Sequence, residues 1–408
     1  MRGRRRNLGS TKPDMVTRAE NELLTQVGRG TPCGELLRRY WHPVAAVGEL
    51  SDEKPIRAVK MLGEELVVYR DKKGGYGLVG EHCPHRLASL AYGRIDDEGI
   101  RCPYHGWKFD AAGKCLEQPA EPPASTFKER IKHVAYPVEL LGGLLFAYLG
   151  PEPKPFLPKW DVLVWQNGKR WILKESIIEC NWLQPMENSV DPSHLFWLHG
   201  DTAHLAPRVK KYAEQHDFIR FEYGIKKRRT TLPFATGEGS EIDEHPLLFP
   251  TTLRHVAPYD DGKGHRHNLQ IRVPVDDHHT QVFRVNFVAS PNEKAAADNE
   301  VPFRFSSLKN GPRDYNMSMV SAQDSMAWET QGKVTDRTQE HLGAGDEGVI
   351  ALRKLLKEQI ERVQQGLDPI GIIRDAAKNA LIDLGVINQR IGLYGAKVAG
   401  NHQAQIAS

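Results

Sequence analysis

The spacing of apolar and polar residues divides the chain into three stretches of different texture. Residues 21–41 mix charged and apolar residues at helical spacing, which predicts an N-terminal helix and lead-in over 1–42. From 43 onward, short runs rich in β-branched and aromatic residues alternate with turn residues, which predicts a small all-β domain. The proline-rich segment 151–158 predicts a stiff linker, so this first domain is expected to span 43–155.

The pattern beyond the linker, over 156–408, predicts a second domain of the α+β class. Helical periodicity occurs near 181–200, 318–330 and 346–366. Strand-like runs occur near 216–223, 251–257, 268–274 and 280–289. Helices and strands in separate blocks indicate an antiparallel sheet with helices packed against it. A run of four cations is expected to form a solvated turn: Lys226, Lys227, Arg228 and Arg229.

Composition and charge exclude several classes of protein. Of the 408 residues 40% are hydrophobic and 26% are charged, and the formal net charge is only +3, so we expect neither nucleic-acid nor membrane binding. A second cationic run stands near the N-terminus, at Arg2, Arg4, Arg5 and Arg6. No apolar segment follows it, which argues against export and for a cytoplasmic protein.

Five cysteines, an odd number at irregular spacing, argue against a disulfide framework. Cys83 and Cys102 each stand beside a histidine, so metal binding is the leading explanation for these two. The other three are expected to be buried packing thiols: Cys33, Cys115 and Cys180.

Two short motifs, Cys83-x-His85 and Cys102-x-x-His105, lie on predicted loops between strands. A structural zinc site also uses two cysteines and two histidines. Zinc sites usually pair like ligands on one loop, however, whereas each loop here offers one of each kind. That arrangement suits a two-iron, two-sulfide cluster in which one iron binds both thiolates and the other both imidazoles.

Together with Gly106 and Trp107, these motifs resemble the Rieske motif. The resemblance implies that the all-β domain is a Rieske domain. It also implies that a [2Fe-2S] cluster is held by Cys83, His85, Cys102 and His105.

A second group of metal-ligating residues lies in the predicted helix 181–200. His194 and His199 are five residues apart, which in an ideal helix leaves them about 140° apart around the axis. A wide turn or a π-type bulge is therefore expected to bring them together. The polar residues Glu187, Asn188 and Asp191 interrupt an otherwise apolar helix, and polar groups are buried there only with partners.

This segment resembles the mononuclear iron segment of aromatic ring-hydroxylating oxygenases of the phthalate dioxygenase type. The resemblance makes 156–408 the catalytic domain and implies that His194 and His199 bind non-haem Fe(II) with one carboxylate. We expect Asp324, in the predicted helix 318–330, to be that carboxylate. Asp314 and Asp336 compete with it, as a loop residue and an arginine-paired residue respectively.

The resemblance also suggests roles for the polar residues before His194. Asp191 would bridge this iron-binding histidine and His105 of a neighbouring subunit. It is also suited to cap a helix that has Pro192 at its first position. Asn188 matches a position near the iron, and Glu187 is equally suited to be a buried polar anchor.

The function implied is that of a terminal oxygenase component that uses O2 to hydroxylate an aromatic compound, an aromatic acid above all. No Gly-x-Gly-x-x-Gly follows a predicted strand, so electrons are expected from a separate NAD(P)H-dependent reductase or ferredoxin. The resemblance further implies a homo-oligomer, a trimer. Alternatives are O-demethylation of a methoxylated aromatic by a Rieske monooxygenase, a Rieske electron-transfer protein without catalysis, and a zinc-binding interaction protein.

The cationic residues that follow His199 are candidates for a counter-charge to a substrate carboxylate. Surface solvation is the alternative role for most of them. The candidates are Arg208, Lys210, Lys211 and Arg220.

Overall fold

The structure is a computed structural model that describes residues 16–200, 212–233, 241–258, 265–385 and 388–390. No helix within these ranges is long and apolar enough to cross a membrane. Arg208, Lys210 and Lys211 lie outside the described residues.

Two short helices open the described chain where one was predicted over 21–41. Helix α1 (Arg18–Thr25) begins at a capping box in which Thr17 and Glu20 satisfy each other's backbone N–H groups. Helix α2 (Pro32–Leu37) begins after a second cap, Thr31. The single helix was a wrong prediction, because Gly30, with φ of 83°, lies between the two caps.

The first domain is all-β, as predicted. Its strands, numbered along the chain, are β1 (Trp41–Ala46), β2 (Ile56–Met61), β3 (Glu64–Arg70), β4 (Tyr76–Gly80), β5 (Arg94–Ile95), β6 (Ile100–Arg101), β7 (Lys108–Phe109), β8 (Cys115–Glu117), β9 (Ala135–Tyr136), β10 (Val138–Leu141) and β11 (Leu144–Tyr148). They form three antiparallel sheets in the orders β1-β11-β10, β2-β3-β4-β9 and β5-β6-β7-β8. Because β1 starts at Trp41, the predicted boundary between 42 and 43 falls inside a strand.

The second domain combines long strands with helices. Its elements are α3 (Asp161–Val164), β12 (Asn167–Glu175), α4 (Leu183–Val190), α5 (His194–Leu198), β13 (Tyr212–Phe221), β14 (Gly224–Pro233), β15 (Glu241–Leu248), β16 (Thr252–Pro258), β17 (His265–Asp276), β18 (His279–Lys294), β19 (Phe303–Ser306), β20 (Lys309–Gly311), β21 (Asp314–Tyr315), α6 (Val320–Thr330), α7 (Glu347–Gln364) and β22 (Asn388–Arg390). The predicted helices near 318–330 and 346–366 are confirmed as α6 and α7.

A large sheet in the order β13-β14-β15-β16-β17-β18-β12-β19 dominates this domain, and β22 pairs with β15. The strand pairs are antiparallel except β12 with β19, which is parallel, so the α+β class is confirmed with a mixed sheet. All four predicted strand runs lie in it, as β13, β16, β17 and β18. Strands β12, β14 and β15 were not predicted.

The solvated turn predicted at 226–229 was wrong, because these four cations lie inside β14. Arg228 Nε donates to Glu244 Oε1 at 2.6 Å, and the Arg229 guanidinium pairs with Asp243. Both partners are opposite residues on β15, so acidic residues on the neighbouring strand neutralise a run that would otherwise repel itself. Lys227 and Arg229 are 9% and 7% exposed.

The two domains share one continuous hydrophobic core that includes residues of β1, β11, α4, α7 and the large sheet. At their boundary the turn between β2 and β3 donates two backbone hydrogen bonds, from Leu62 N to Pro274 O and from Gly63 N to Val275 O, both 2.9 Å. Lys60 Nζ also donates to Asp276 Oδ2 at 2.8 Å. The first domain is therefore fixed on the end of β17.

Candidate metal centres

Two tight loops position the Cys–His pairs of the first domain. The loop after β4 turns at Cys83, whose carbonyl accepts from Leu87 N at 2.9 Å, and Leu87 has φ of 60°. The loop between β6 and β7 turns in the same way, since the Cys102 carbonyl accepts from Gly106 N at 3.1 Å. Gly106 has φ of 75°, a conformation that favours glycine. Both loops are thus shaped by backbone hydrogen bonds.

The four side chains converge with the cysteines inside and the histidines outside. Cys83 and Cys102 are 1% and 3% exposed, His105 is partly exposed and His85 is exposed. The two imidazole rings lie 4.6 Å apart between centroids. Trp107 stacks on His85 at 4.5 Å with an interplanar angle of 8°, which fixes that ring.

The donors of this centre fit a metal cluster. Burial, with the Cys102 thiol beside it, raises the pKa of the Cys83 thiol, and a bound metal would favour the thiolate. The Nδ1 atom of His105 is buried without a hydrogen-bond partner. Cys33, Cys115 and Cys180 are free and buried, as expected of packing thiols.

The second centre forms where the predicted helix 181–200 breaks. Helix α4 ends at Val190, and α5 begins at His194. Asp191 Oδ1 accepts from Ser193 N at 2.7 Å, so Asp191 caps the break, although Ser193 rather than Asp191 directly precedes α5. Proline at 192 cannot continue the backbone hydrogen bonds of α4, which accounts for the break.

His194 and His199 approach each other where α5 ends, and the π-type bulge that was one of the two expectations is not present in α5. His199 follows the last residue of α5 with φ −105° and ψ 9°, outside helical geometry. The two ring centroids lie 5.6 Å apart at an interplanar angle of 84°.

Asp324 of α6 completes a cluster with these two histidines. His199 Nε2 lies 3.1 Å from Asp324 Oδ1, and His194 Nε2 lies 3.9 Å from the same oxygen. One donor atom from each of the three residues lies within 4.8 Å of the others, close enough to hold one metal ion. Burial acts to raise the pKa of Asp324, but the hydrogen bond from His199 and the histidine charges lower it.

Neighbouring side chains contact the Nδ1 atoms of both histidines of this cluster. His199 Nδ1 lies 2.6 Å from Gln323 Oε1, and Gln323 Nε2 donates to the Met317 carbonyl at 2.8 Å. Asp191 Oδ2 lies 3.5 Å from His194 Nδ1. The role of Gln323 was not predicted, although its position directly before Asp324 was a signal that could have found it.

Other predicted site residues fall into different surroundings. Glu187 is a buried anchor, because Arg337 binds it through Nε at 2.9 Å and Nη2 at 2.7 Å, and Arg353 Nε binds it at 2.6 Å. Asn188 is partly exposed and makes no side-chain hydrogen bond to any described residue. Among the described residues, Asp191 interacts with Ser193 and His194, and no hydrogen bond or ion pair joins it to His105.

The competitors for the third ligand position lie outside the cluster. Asp314 is exposed on β21, and Asp336 accepts from Thr338 N at 3.1 Å. The expected counter-charge Arg220 binds Glu358 of α7 through Nη2 at 2.5 Å.

Comparison with known proteins relates both centres to one family. A Rieske [2Fe-2S] domain model matches residues 40–128, and a model described as LigXa C-terminal domain like matches 306–390. The chain is 38% identical over 389 residues to the 5,5'-dehydrodivanillate O-demethylase oxygenase subunit of Sphingobium sp. (strain NBRC 103272 / SYK-6), covering 93% of this chain and 89% of that one. It is 30% identical over 406 residues to the phthalate 4,5-dioxygenase oxygenase subunit of Pseudomonas putida, covering 88% and 89%.

A solved structure shows the same fold. The oxygenase in a ferredoxin complex of carbazole 1,9a-dioxygenase superposes with a TM-score of 0.60 at 21% identity, covering 86% of this chain and 96% of that one. The chain belongs to the oxygenase subunits of the Rieske non-haem iron oxygenases. It therefore carries a Rieske [2Fe-2S] domain rather than a structural zinc site, and its relatives hold a mononuclear iron in the catalytic domain.

Proposed function

We propose that this oxygenase subunit oxygenates an aromatic acid, with ring hydroxylation as its main reaction. The observation that carries the proposal is the cluster of His194, His199 and Asp324, which supplies two imidazoles and one carboxylate to a single point. This donor set is typical of non-haem Fe(II) sites that keep open positions for O2. A simple electron carrier would not need such a cluster.

The residues of the two centres divide the work. When bound, the cluster on Cys83, His85, Cys102 and His105 supplies single electrons, and the iron on the second centre activates O2. Asp324 gives the iron site its one negative charge.

Two residues position the histidines of the iron site. Gln323 Oε1 accepts from His199 Nδ1, which directs Nε2 of that ring towards Asp324, where it would bind the metal. Asp191 orients His194 from the other side.

A second subunit is part of the proposal, as a homo-oligomer and specifically a trimer. The histidine side of the first centre is exposed, and Leu87 and Tyr104 beside it are 70% and 57% exposed. We place the Asp191 of a partner against the exposed side of the His105 ring, which is only partly buried in this chain. Asn188 would lie near the iron in the same interface region.

The electron donor is a separate reductase or ferredoxin, since related oxygenase subunits depend on one. We propose that the donor is an NAD(P)H-dependent reductase and that both proteins are cytoplasmic.

We also propose that the two domains divide at residue 155, with the Rieske domain before it and the catalytic domain after it.

The substrate class follows from the names of the relatives. Phthalate and phenoxybenzoate are aromatic acids, which supports an aromatic acid here. O-demethylation of a methoxylated aromatic is the second candidate, because one relative is an O-demethylase. The relatives include ring dioxygenases as well, so demethylation is not favoured over hydroxylation.

A product assay with isotopic oxygen tests this function. The purified enzyme, a reductase and NADH would be incubated under ¹⁸O2 with aromatic acids and aryl ethers, and products would be analysed by mass spectrometry. Products that carry ¹⁸O on the ring support hydroxylation, and a phenol without the label, formed together with one equivalent of formaldehyde, supports demethylation. NADH oxidation that yields neither a ¹⁸O-labelled ring nor formaldehyde, from every compound, would contradict the oxygenase proposal.

A further inference from the structure

A buried arginine without a carboxylate partner lies on β17. Arg272 is 2% exposed and forms no ion pair with any residue that the structure describes. Its Nε atom is buried without a hydrogen-bond partner, and its Nη2 atom donates to Gln270 Oε1 at 3.1 Å. Within the described ranges, a neutral amide is therefore the one oxygen acceptor that this guanidinium contacts.

The lack of a counter-charge distinguishes Arg272 from two other arginines that are buried as deeply. Arg254 and Arg337 are each 1% exposed. Arg254 pairs with Asp161 at 3.1 Å, and Arg337 pairs with Glu187 at 2.7 Å. An uncompensated charge in a protein core is costly, so its presence points to a function that needs the charge.

The Arg272 guanidinium lies between α4 and α6, the helices that lead to the iron-site residues. Its Nη1 atom lies 3.9 Å from Met186 Sδ of α4, and its Cζ atom lies 5.7 Å from the centroid of the Trp328 ring of α6. Trp328 follows Asp324 by four residues, so the two side chains share one side of α6. Because helical side chains lean towards the N-terminus of their helix, Trp328 lies over the turn that carries Asp324. Arg272 therefore packs against the part of α6 that supplies the carboxylate ligand.

The neighbouring arginine on the sheet, in contrast, has its own counter-charge. Arg284 of β18 is directly opposite Gln270, and its Nε atom donates to Glu175 Oε1 at 2.6 Å. Burial and the Arg284 charge lower the pKa of Arg272 to about 9, while Asp324 and Glu175 act to raise it. The Arg272 guanidinium is therefore charged at neutral pH, and Asp324 is one of two carboxylates that stabilise this charge from a distance.

Iron bound at Asp324 would change this balance of charges. The carboxylate charge would then be shared with the metal, so Arg272 would add a positive charge beside a site that is already positive. Ferric iron carries one positive charge more than ferrous iron, so the guanidinium repels the ferric ion more strongly. A unit charge that acts over roughly 10 Å at an effective dielectric constant of about 20 changes an equilibrium roughly tenfold.

We propose that Arg272 keeps the mononuclear iron ferrous by placing an uncompensated positive charge beside the helical turn that carries Asp324. Oxidation of this iron releases one electron and leaves an ion whose additional charge the guanidinium opposes. Arg272 is thus a positioning residue that favours the oxidation state needed for O2 binding, and it acts through its charge without touching the substrate. The inference rests on the proposed function, because it requires the iron site of that function.

A potentiometric titration of the anaerobic holoenzyme tests this proposal. Redox mediators would set the potential, and electron paramagnetic resonance would report the ferric fraction of the mononuclear iron. The Rieske signal in the same titration is the internal control, because the cluster ligands lie in the first domain. We expect Arg272→Met to raise the ratio of Fe(III) to Fe(II) at a fixed potential about tenfold, with the cluster potential unchanged. Arg272→Lys keeps the charge, so its ratio should stay within about threefold of the wild type.

Two further variants separate the charge of Arg272 from its packing. Gln270→Leu removes the acceptor of Nη2 but keeps the charge, so this matched control should leave the ratio of Fe(III) to Fe(II) unchanged. Arg272→Gln is neutral and still able to hydrogen-bond to Gln270, and it should raise the ratio as Arg272→Met does. It serves as the neutral variant if Arg272→Met does not fold.

Several results would overturn the proposal. An unchanged ratio in a folded neutral variant would do so while the oxygenase function stands, even if that variant binds Fe(II) more weakly in competition with a chelator. Failure of both neutral variants to fold would assign Arg272 to stability alone. A wild type without iron beyond the [2Fe-2S] cluster would overturn the proposed function as well.

Discussion

Replacing Gln323 with leucine should weaken iron binding at the second centre and leave the Rieske cluster intact. The His199 Nδ1 to Gln323 Oε1 distance is 2.6 Å, and the two residues are 1% and 7% exposed. Leucine would leave the Nδ1 N–H group buried without an acceptor, which costs about 1–3 kcal/mol. Removing such an orienting partner typically lowers metal affinity about 10- to 100-fold, which is the same range.

The assay is competition for Fe(II) between the protein and a chelator, with the visible spectrum of the cluster as internal control. Gln323→Glu is the matched variant, because it keeps an oxygen for His199 but loses the donor to the Met317 carbonyl. We expect it to retain most of the affinity. Unchanged affinity in Gln323→Leu, or an equal loss in both variants, would refute the claim that the acceptor oxygen orients His199.

Two further predictions concern stability. Glu187→Ala should destabilise the catalytic domain by about 3–5 kcal/mol in denaturant unfolding, because Arg337 and Arg353 lose their shared buried carboxylate; a loss below about 1 kcal/mol would show that water replaces it. The second prediction concerns the ion pair between Asp276 and Lys60. Burial acts to raise the pKa of Asp276, but hydrogen bonds, the strongest of them from Lys60, lower this pKa to about 2. The wild type should therefore exceed Asp276→Asn in stability above about pH 4, and the difference should shrink as the pH falls towards 2. A difference independent of pH would rule out this ion pair as its cause.

The site was easier to predict than the domain around it, and the reason is physical. The cluster ligands are close in sequence, because each Cys–His pair is formed by one tight loop. Asp324 lies far from His194 in sequence but stands in α6, a helix that the sequence predicted near 318–330. The spacing of His194 and His199 did not reveal that α5 ends at Leu198. This helix end brings the two histidines together in place of the predicted bulge.

Strand β14 was missed because its residues are charged where buried strands are usually apolar. Side chains along Lys226–Arg229 alternate between the two faces of the sheet, with Lys227 and Arg229 buried, but all four are cationic, so the sequence shows no alternation of polar and apolar residues. The acidic residues opposite this run on β15 stabilise it inside the sheet. Which strands pair with each other cannot be read from a single sequence.

The central claim is that Asp324 with His194 and His199 holds an iron separate from the Rieske cluster. Iron content and electron paramagnetic resonance of purified Asp324→Ala test it most directly, with Asp314→Ala as the control on an exposed carboxylate. We predict that Asp324→Ala retains the signal of the reduced cluster, contains about one iron per chain less than the wild type, and forms no product. Full iron content with retained turnover in Asp324→Ala would contradict the account.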